Sequence, residues 1–205
     1  MSKEKIINIF KETGALLNGH FVLTSGKHSS SYFQCAKVLQ YPKYLSRFAQ
    51  SIANNFMNSD IDAVISPAIG GIVLGTEVGR LLNVKTIFAE RKKGDMCIRR
   101  GFEIKENDKA LIIEDVITTG GSVKEVMDEV TKLGGKISGV GVLVDRSNGQ
   151  AKLHKNQFSI IELEAVSFEP NKVPESLKDI PIQKPGSRKI QWLKGTLFYL
   201  LYVYL

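Results

Sequence analysis

The stretch Leu111-Ile-Ile-Glu-Asp-Val-Ile-Thr-Thr-Gly-Gly-Ser-Val123 joins the three patterns that decide the fold. Residues 110–113 form a short apolar run with two isoleucines, which predicts a buried strand that stops at Glu114 and Asp115. Apolar residues then recur at helical spacing from Val123 onward. The stretch therefore predicts a strand, a turn and a helix, and such turns are where open α/β sheets bind ligands.

The turn over residues 118–122 has the composition of a phosphate-binding site. Its two glycines let backbone N–H groups approach an anion, and the helix N-terminus adds donors and a positive dipole end. The hydroxyl groups of Thr118, Thr119 and Ser122 are further donors. The two acids just before the turn can accept hydrogen bonds from the hydroxyl groups of a ribose or approach a metal ion through water. Acids and turn together predict a site for a ribose 5-phosphate.

Other phosphate-binding motifs are absent from this turn. Neither the G-x-x-x-x-G-K-[ST] spacing of nucleoside-triphosphate sites nor the G-x-G-x-x-G spacing of dinucleotide sites is present. The structural alternative is an ordinary helix start, with Ser122 as the capping residue and the acids in solvent. Two acids, two threonines and two glycines in one turn favour the binding site over that alternative.

Short apolar runs alternate with helical patterns on both sides of this stretch. The alternation predicts an α/β fold, with a mostly parallel open sheet flanked by helices on both faces. A first helix is expected over residues 3–16, closed by Gly19, and another begins at Pro42. The other predicted strands, of which the first two form a hairpin, cover residues 21–24, 32–39, 63–66, 85–89, 137–145 and 158–163.

Two further segments suit an anionic ligand. A second strand–turn–helix pattern has glycines within residues 67–71, which predicts a second anion-binding turn or, alternatively, only a structural turn. Residues 90–101 contain five Lys or Arg among twelve residues, and predict a mobile loop or loose hairpin whose cations bind phosphate groups. The strand over residues 137–145 is expected to deliver Arg146 to the same sheet edge.

Composition sets wide bounds on the function. The 205 residues predict one domain, and the net charge of +7 suits small anionic ligands better than nucleic acid. Cys35 and Cys97 have no metal-ligand spacing, which predicts free thiols in a reducing, cytoplasmic compartment. No secretory signal is recognisable. The uncharged run that begins at Gly195 is shorter than the roughly twenty residues that span a bilayer, and no function is assigned to it.

The central stretch resembles the signature of phosphoribosyltransferases that use phosphoribosyl pyrophosphate: an apolar run, two acids, an apolar pair and Thr-Thr-Gly-Gly-Ser. Residues 19–33, 67–71, 90–102 and 144–146 resemble the orotate phosphoribosyltransferase family in particular. The resemblance implies a type I phosphoribosyltransferase fold with one domain over residues 1–189 and a small N-terminal hood over about residues 17–40. Residues 190–205 form an atypical apolar tail outside it.

The resemblance also implies a reaction, in which orotate and phosphoribosyl pyrophosphate give orotidine 5′-monophosphate and pyrophosphate during pyrimidine synthesis. Mg²⁺ is the implied cofactor and is bound mainly through the substrate, without a metal site of its own. The implied catalytic residues are Lys92 and Asp115, and orotate is expected to contact Lys27, Thr118 and Arg146. Phosphoribosyl pyrophosphate is expected to contact Ala68, Ile69, Gly70, Gly71, Arg91, Lys92, Glu114, Asp115, Val116, Ile117, Thr118, Thr119, Gly120, Gly121 and Ser122.

The implied assembly is a homodimer, in which Arg91 and Lys92 are donated across the interface and no nucleic acid or membrane takes part. The sequence departs from the family pattern in this loop: some relatives have a longer loop with lysine and histidine, whereas this loop is short and contains Asp95, Met96 and Cys97. Contacts from residues 93–100 are therefore not assigned. A purine or xanthine phosphoribosyltransferase is one alternative, and it would lack the N-terminal hairpin pattern. A regulator that senses phosphoribosyl pyrophosphate on the same fold is the other, and it would need a DNA-binding domain or a continuous basic face.

Overall fold

The computed structural model describes residues 1–23, 26–164 and 166–184, so the apolar tail lies outside the described residues. The described strands are β1 (Leu16–Val22), β2 (His28–Phe33), β3 (Ala63–Pro67), β4 (Lys85–Lys92), β5 (Asp95–Ile98), β6 (Lys109–Ile117), β7 (Lys136–Asp145), β8 (Gln157–Glu162), β9 (Ser167–Phe168) and β10 (Ile182–Gln183). The described helices are α1 (Lys3–Glu12), α2 (Ala36–Leu39), α3 (Pro42–Phe56), α4 (Gly70–Leu82), α5 (Gly121–Lys132) and α6 (Glu175–Lys178). None of them is both long and apolar enough to cross a membrane.

A six-stranded sheet in the order β5-β4-β3-β6-β7-β8 carries the larger of two units, residues 1–18 with 31–166. Its strands pair in parallel except for β5, which is antiparallel to β4 at one edge. Successive side chains of a strand point to opposite faces. Leu111 and Ile113 therefore enter one buried cluster with α1, α2, α3 and α4, while Ala110 and Ile112 enter a second with α5. The predicted α/β sheet, mostly parallel and covered on both faces, is confirmed.

Among the described residues, the smaller unit combines residues 19–23 and 26–30 with residues 167–184. Its sheet has the order β10-β1-β2-β9, in which His20 of β1 pairs with Ile182 and His28 of β2 pairs with Phe168. The rings of His20 and His28 also contact each other, with Nε2 of one 2.5 Å from Nδ1 of the other. The N-terminal hairpin was predicted from the sequence, whereas the C-terminal strands beside it were not.

Three predicted boundaries near the N-terminus are wrong. The strand predicted over residues 21–24 corresponds to β1, which begins at Leu16. The first helix ends at Glu12 instead of residue 16, because Gly14 takes a left-handed φ of 66° and the chain then enters β1, in which Gly19 lies. The strand predicted over residues 32–39 ends at Phe33, and Ala36–Leu39 forms a helical turn. A short apolar run fits a strand or a buried helical turn equally well, so its periodicity alone does not distinguish them.

The contact between α4 and β3 leaves no room for a side chain at Gly75. A Cβ atom there would lie 2.1 Å from Oγ of Ser66, a buried hydroxyl with no hydrogen-bond partner among the described residues. Gly75→Ala is therefore expected to lower the free energy of unfolding by about 1–3 kcal/mol through overpacking. Ser66→Ala alone should leave it unchanged or raise it, since the hydroxyl lacks a partner.

The double variant provides the control for this packing prediction. With Ser66 replaced by alanine, the nearest remaining atoms to the new Cβ are Cβ of residue 66 at 3.3 Å and Cγ1 of Val64 at 3.4 Å. Much of the loss should therefore be recovered when the four proteins are compared by urea denaturation. An equal loss from Gly75→Ala in both backgrounds would show that the hydroxyl is not the obstacle.

Candidate active site

The carboxyl ends of β3, β6 and β7 lie side by side at one edge of the six-stranded sheet. Ile117 at the end of β6 pairs with Asp145 at the end of β7, and its carbonyl oxygen accepts a 2.8 Å hydrogen bond from the backbone N–H of Arg146. Strand β3 is parallel to β6 on the other side and ends at Pro67. The three segments predicted to bind ligand, residues 68–71, 118–122 and Arg146, therefore follow neighbouring strands.

The two acids lie inside β6, so the prediction that the strand stops at them is wrong. The ladder with β7 continues through Glu114 and Val116 to Ile117, because the apolar pair after the acids prolongs the buried run. Glu114 is buried and its Oε1 accepts a 3.0 Å bond from the N–H of Asp115, which is half-buried. Burial raises the pKa of Asp115, while a hydrogen bond from the N–H of Val116 acts in the opposite direction.

The first turn of α4 crosses directly over this acid pair. A Cβ atom at Gly70 would lie 2.6 Å from a carboxylate oxygen of Asp115, and one at Gly71 would lie 2.9 Å from the carbonyl oxygen of Ile113. Only glycine permits such an approach, so the glycine turn that was predicted to bind an anion lies against the acids. The preceding peptide bond, between Ala68 and Ile69, is cis.

The turn after β6 exposes its hydroxyl groups at the start of α5. Thr118 and Thr119 are exposed, and Gly120 is the N-cap residue in a left-handed conformation with φ of 74°. Because the N-cap residue is Gly120, which has no side chain, the capping role considered for Ser122 is wrong. A Cβ at Gly120 would lie 2.6 Å from the side chain of Leu153. Both this close contact and the left-handed φ favour glycine at this position. A helix start without a side-chain cap presents its N–H groups to a ligand.

Arg146 is a buried cation, and two of its nitrogen atoms have no hydrogen-bond partner among the described residues. It is only 5% exposed, and its guanidinium lies over the ring of Phe33, 5.0 Å from the ring centre. Its Nε and Nη2 atoms have no hydrogen-bond partner, and no carboxylate pairs with it, among the described residues. Burial lowers its pKa, while Cys35 and Tyr32 nearby act in the opposite direction. A buried guanidinium in this state suits an anionic ligand group.

The basic segment forms a hairpin, the second of the two shapes predicted for it. Lys92 at the end of β4 pairs with Asp95 at the start of β5, so only two residues form the turn. Those residues, Lys93 and Gly94, both have positive φ, of 54° and 104°, as the commonest tight hairpin turn requires. Arg91 and Lys92 thus lie at the tip of a strand pair at the edge of the sheet.

Three of the five cations in this hairpin are paired with carboxylates. Glu90 pairs with Nε of Arg99 at 2.7 Å and with Nε of Arg100 at 2.6 Å. Hydrogen bonds from these two arginines lower the pKa of Glu90 to about 2. Arg91 pairs with Glu125 on α5. Among the described residues, no carboxylate forms an ion pair with Lys92 or Lys93.

Lys27 belongs to the smaller unit and has a partner there. Its ammonium group is 2.8 Å from a carboxylate oxygen of Glu169, and both side chains are about half exposed. Sequence reasoning did not assign roles to Glu169, Glu125 or Phe33. For Phe33 a weak signal existed, because alternation along a strand places it on a buried face, whereas the glutamates resemble ordinary solvated residues.

The chain matches the phosphoribosyl transferase domain family over residues 38–179. It is 58% identical over 188 residues to the orotate phosphoribosyltransferase of Chlorobaculum parvum, an alignment that covers 92% of this chain and 97% of that relative. The chain belongs to the orotate phosphoribosyltransferase family. It is therefore an enzyme of the transferase class, and the acid pair and the threonine–glycine turn lie within the matched domain.

Solved structures agree on the fold and do not distinguish the base. The orotate phosphoribosyltransferase of Aeropyrum pernix is similar with a TM-score of 0.66 at 24% identity, covering 77% of this chain and 93% of that one. The adenine phosphoribosyltransferase of Rhodothermus marinus reaches 0.63 at 18% identity, covering 78% and 100%. At these identities the likeness concerns the fold alone and does not identify the base.

Proposed function

We propose that the protein joins orotate to the ribose 5-phosphate of phosphoribosyl pyrophosphate and releases pyrophosphate, as a step of pyrimidine synthesis. The observation that carries the choice of base is Arg146, a buried guanidinium whose Nε and Nη2 have no hydrogen-bond partner among the described residues and which follows β7, the strand next to the acids of β6. Orotate has a carboxylate that can accept these bonds in a bidentate geometry, whereas purine bases have none. This supports orotate over a purine or xanthine.

We assign each part of phosphoribosyl pyrophosphate to a different segment along the edge of the sheet. The 5-phosphate is assigned to the turn from Thr118 to Ser122 at the start of α5, and the ribose hydroxyls to Glu114 and Asp115. The pyrophosphate is assigned to the glycine turn at the start of α4 and to the basic hairpin. The close approach of Gly70 to Asp115 supports this order, because it brings the pyrophosphate turn against the ribose-binding acids.

The residues so placed match the charge that develops during the reaction. Breaking the bond between C1 and pyrophosphate builds positive charge on the ribose and negative charge on the leaving group. Asp115 offers negative charge on the ribose side, and Lys92, which is exposed at the tip of β4, offers positive charge to the pyrophosphate. The contact of Lys27 with orotate stays a prediction from the family resemblance, and within its own unit Lys27 pairs with Glu169.

The donor set fits an Mg²⁺ ion that is held largely by the substrate. The described residues contain no group of three His, Cys, Asp or Glu side chains able to hold a metal, but the two acids of β6 are adjacent to the proposed phosphate positions. Mg²⁺ commonly binds through one or two carboxylates together with substrate phosphates. When bound, it spreads the negative charge of the pyrophosphate.

Orotate consumption is therefore expected to require a divalent metal. The loss of orotate absorbance should be seen with phosphoribosyl pyrophosphate and Mg²⁺, should stop on addition of a chelator, and should resume when Mg²⁺ is restored in excess. Hypoxanthine and xanthine in place of orotate are the matched controls and should not be consumed. Turnover of hypoxanthine without turnover of orotate would contradict the proposed base, and activity that survives chelation would contradict the metal requirement.

The proposed assembly is a homodimer that shares the basic hairpin across a two-fold interface, with small-molecule substrates and neither nucleic acid nor membrane as partner. Its support is family membership, together with an exposed hairpin whose lysines have no carboxylate partner among the described residues. The proposed compartment is the cytoplasm. Cys35 and Cys97 are both free thiols, which suits a reducing environment.

A further inference from the structure

The contact between Arg91 and Glu125 differs from the other ion pairs of the hairpin. Arg99 and Arg100 pair with Glu90, which belongs to the hairpin itself. Glu125 belongs to α5, so its pair with Arg91 ties the tip of the hairpin to a separate element of the chain. Neither side chain is deeply buried, with 35% of Arg91 and 41% of Glu125 exposed, so the pair remains accessible to a ligand.

The position of Glu125 along α5 shows which part of the helix Arg91 contacts. It lies four residues after Gly121, the first residue of the helix, and residues four apart lie on the same helix face about one turn apart. The helix start is where the uncapped turn with Thr118 and Thr119 lies. The ion pair therefore joins Arg91, at the tip of the hairpin, to the second turn of α5.

The guanidinium of Arg91 is held at two points. Its Nη1 donates a 2.7 Å hydrogen bond to the carbonyl oxygen of Gly94 in the hairpin turn, and its Nη2 donates to Glu125. A guanidinium has five N–H donors, so three remain for a ligand. An arginine at an exposed strand end otherwise has wide rotamer freedom, which binding must restrict. Since exposed ion pairs add little to stability, the main consequence of this one is orientation.

We propose that Glu125 is a positioning residue, which holds Arg91 and the tip of the basic hairpin in place for the pyrophosphate of phosphoribosyl pyrophosphate. The inference rests on the proposed function and holds for whichever site of the proposed homodimer the hairpin serves. Glu125 itself does not touch the ligand, because a carboxylate beside an anion would repel it. Its contribution passes through the guanidinium that it neutralises and orients.

Inhibition by inorganic pyrophosphate and by ribose 5-phosphate, each of which resembles one part of the substrate, distinguishes a positioning role of Glu125 from general damage to α5. In Glu125→Ala, the inhibition constant of inorganic pyrophosphate and the KM for phosphoribosyl pyrophosphate are expected to rise about two- to fivefold, the range that corresponds to an exposed ion pair. The inhibition constant of ribose 5-phosphate, which probes the turn at the start of α5, and the KM for orotate should not change. Glu125→Asp keeps the charge and should restore most of the loss.

Two further variants show whether Glu125 acts through Arg91. Glu129→Ala is the matched control, since Glu129 lies on the same helix and pairs with Lys132 instead. Its kinetics should equal those of the wild type. In an Arg91→Ala background, Glu125→Ala should have no further effect on pyrophosphate inhibition, because the residue through which it acts is gone.

Several outcomes would overturn the proposal. An unchanged or lowered inhibition constant for pyrophosphate in Glu125→Ala would do so, and a lowered value would show that Glu125 competes with the ligand for Arg91. An equal rise for ribose 5-phosphate would show general damage to α5. A full additional loss in the Arg91→Ala background would show that Glu125 acts independently. Failure of the wild type to consume orotate would instead contradict the proposed function, so the two failures are distinguishable.

Discussion

Replacing Arg146 by alanine is expected to lower kcat/KM for orotate by about 10⁴-fold, toward the value for uracil. A site built around a charged partner rejects an analogue that lacks it by about this factor, because the remaining polar group is left buried and unpaired. Arg146 is 5% exposed and carries two buried nitrogen atoms without hydrogen-bond partners among the described residues. The wild type should therefore use uracil very poorly, and the variant should lose most of its preference for orotate.

Matched variants separate the charge of Arg146 from its geometry. Arg146→Lys keeps a positive charge but loses the bidentate fork, so an intermediate loss is expected. Arg80→Ala removes an exposed arginine that pairs with Glu77 on α4, and it should leave both activities unchanged. Thermal melting of each variant checks that the fold is kept. If Arg146→Ala retained the wild-type ratio of orotate to uracil turnover, the assigned role would be wrong.

Mixed dimers of two inactive variants are expected to recover about a quarter of the wild-type activity. Lys92→Ala and Asp115→Asn should each be nearly inactive as homodimers, because one removes a cation of the hairpin and the other an acid of the ribose site. Unfolded and refolded together in equal amounts, they should form about half hybrid dimers. If Lys92 acts across the interface, each hybrid has one intact site and one site with both defects, which gives the quarter by counting subunits.

The controls for this experiment are the two variants refolded separately and mixed only afterwards, which should remain inactive. Differently tagged subunits, captured in sequence, show how many hybrids form. A hairpin that acts within its own subunit gives no intact site in any hybrid. Activity at the level of the parents, in a sample with demonstrated hybrids, would therefore contradict sharing across the interface.

The features predicted well from the sequence are those encoded by local periodicity. The alternation of buried runs and helical patterns predicted the sheet, and the glycines at residues 70, 71 and 120 marked turns that the structure shows can hold no side chain. The turn that ends β6 and starts α5 was the strongest such signal. It combined a strand end, a helix start and an unusual composition in one place.

The features that were missed depend on residues that are distant in the sequence. Glu125 and Glu169 resemble solvated side chains, and their roles appear only when folding brings Arg91 and Lys27 to them. The prediction that β6 stops at its acids failed because a carboxylate usually marks the edge of a core. In this chain the strand remains paired with β7 beyond Glu114, and the acids are held inside the ladder.

The pairing in the smaller sheet affects the order in which the two sheets can form. His20 in β1 pairs with Ile182 in β10, so β1 cannot complete this pairing until residue 182 has been synthesised. Because synthesis starts at the N-terminus, every strand of the six-stranded sheet, the last of which ends at Glu162, leaves the ribosome before that partner does. Pairing over so long a separation is slow to form. The small sheet is thus the last to be completed, and a chain that stops before β10 leaves one edge of β1 without its partner.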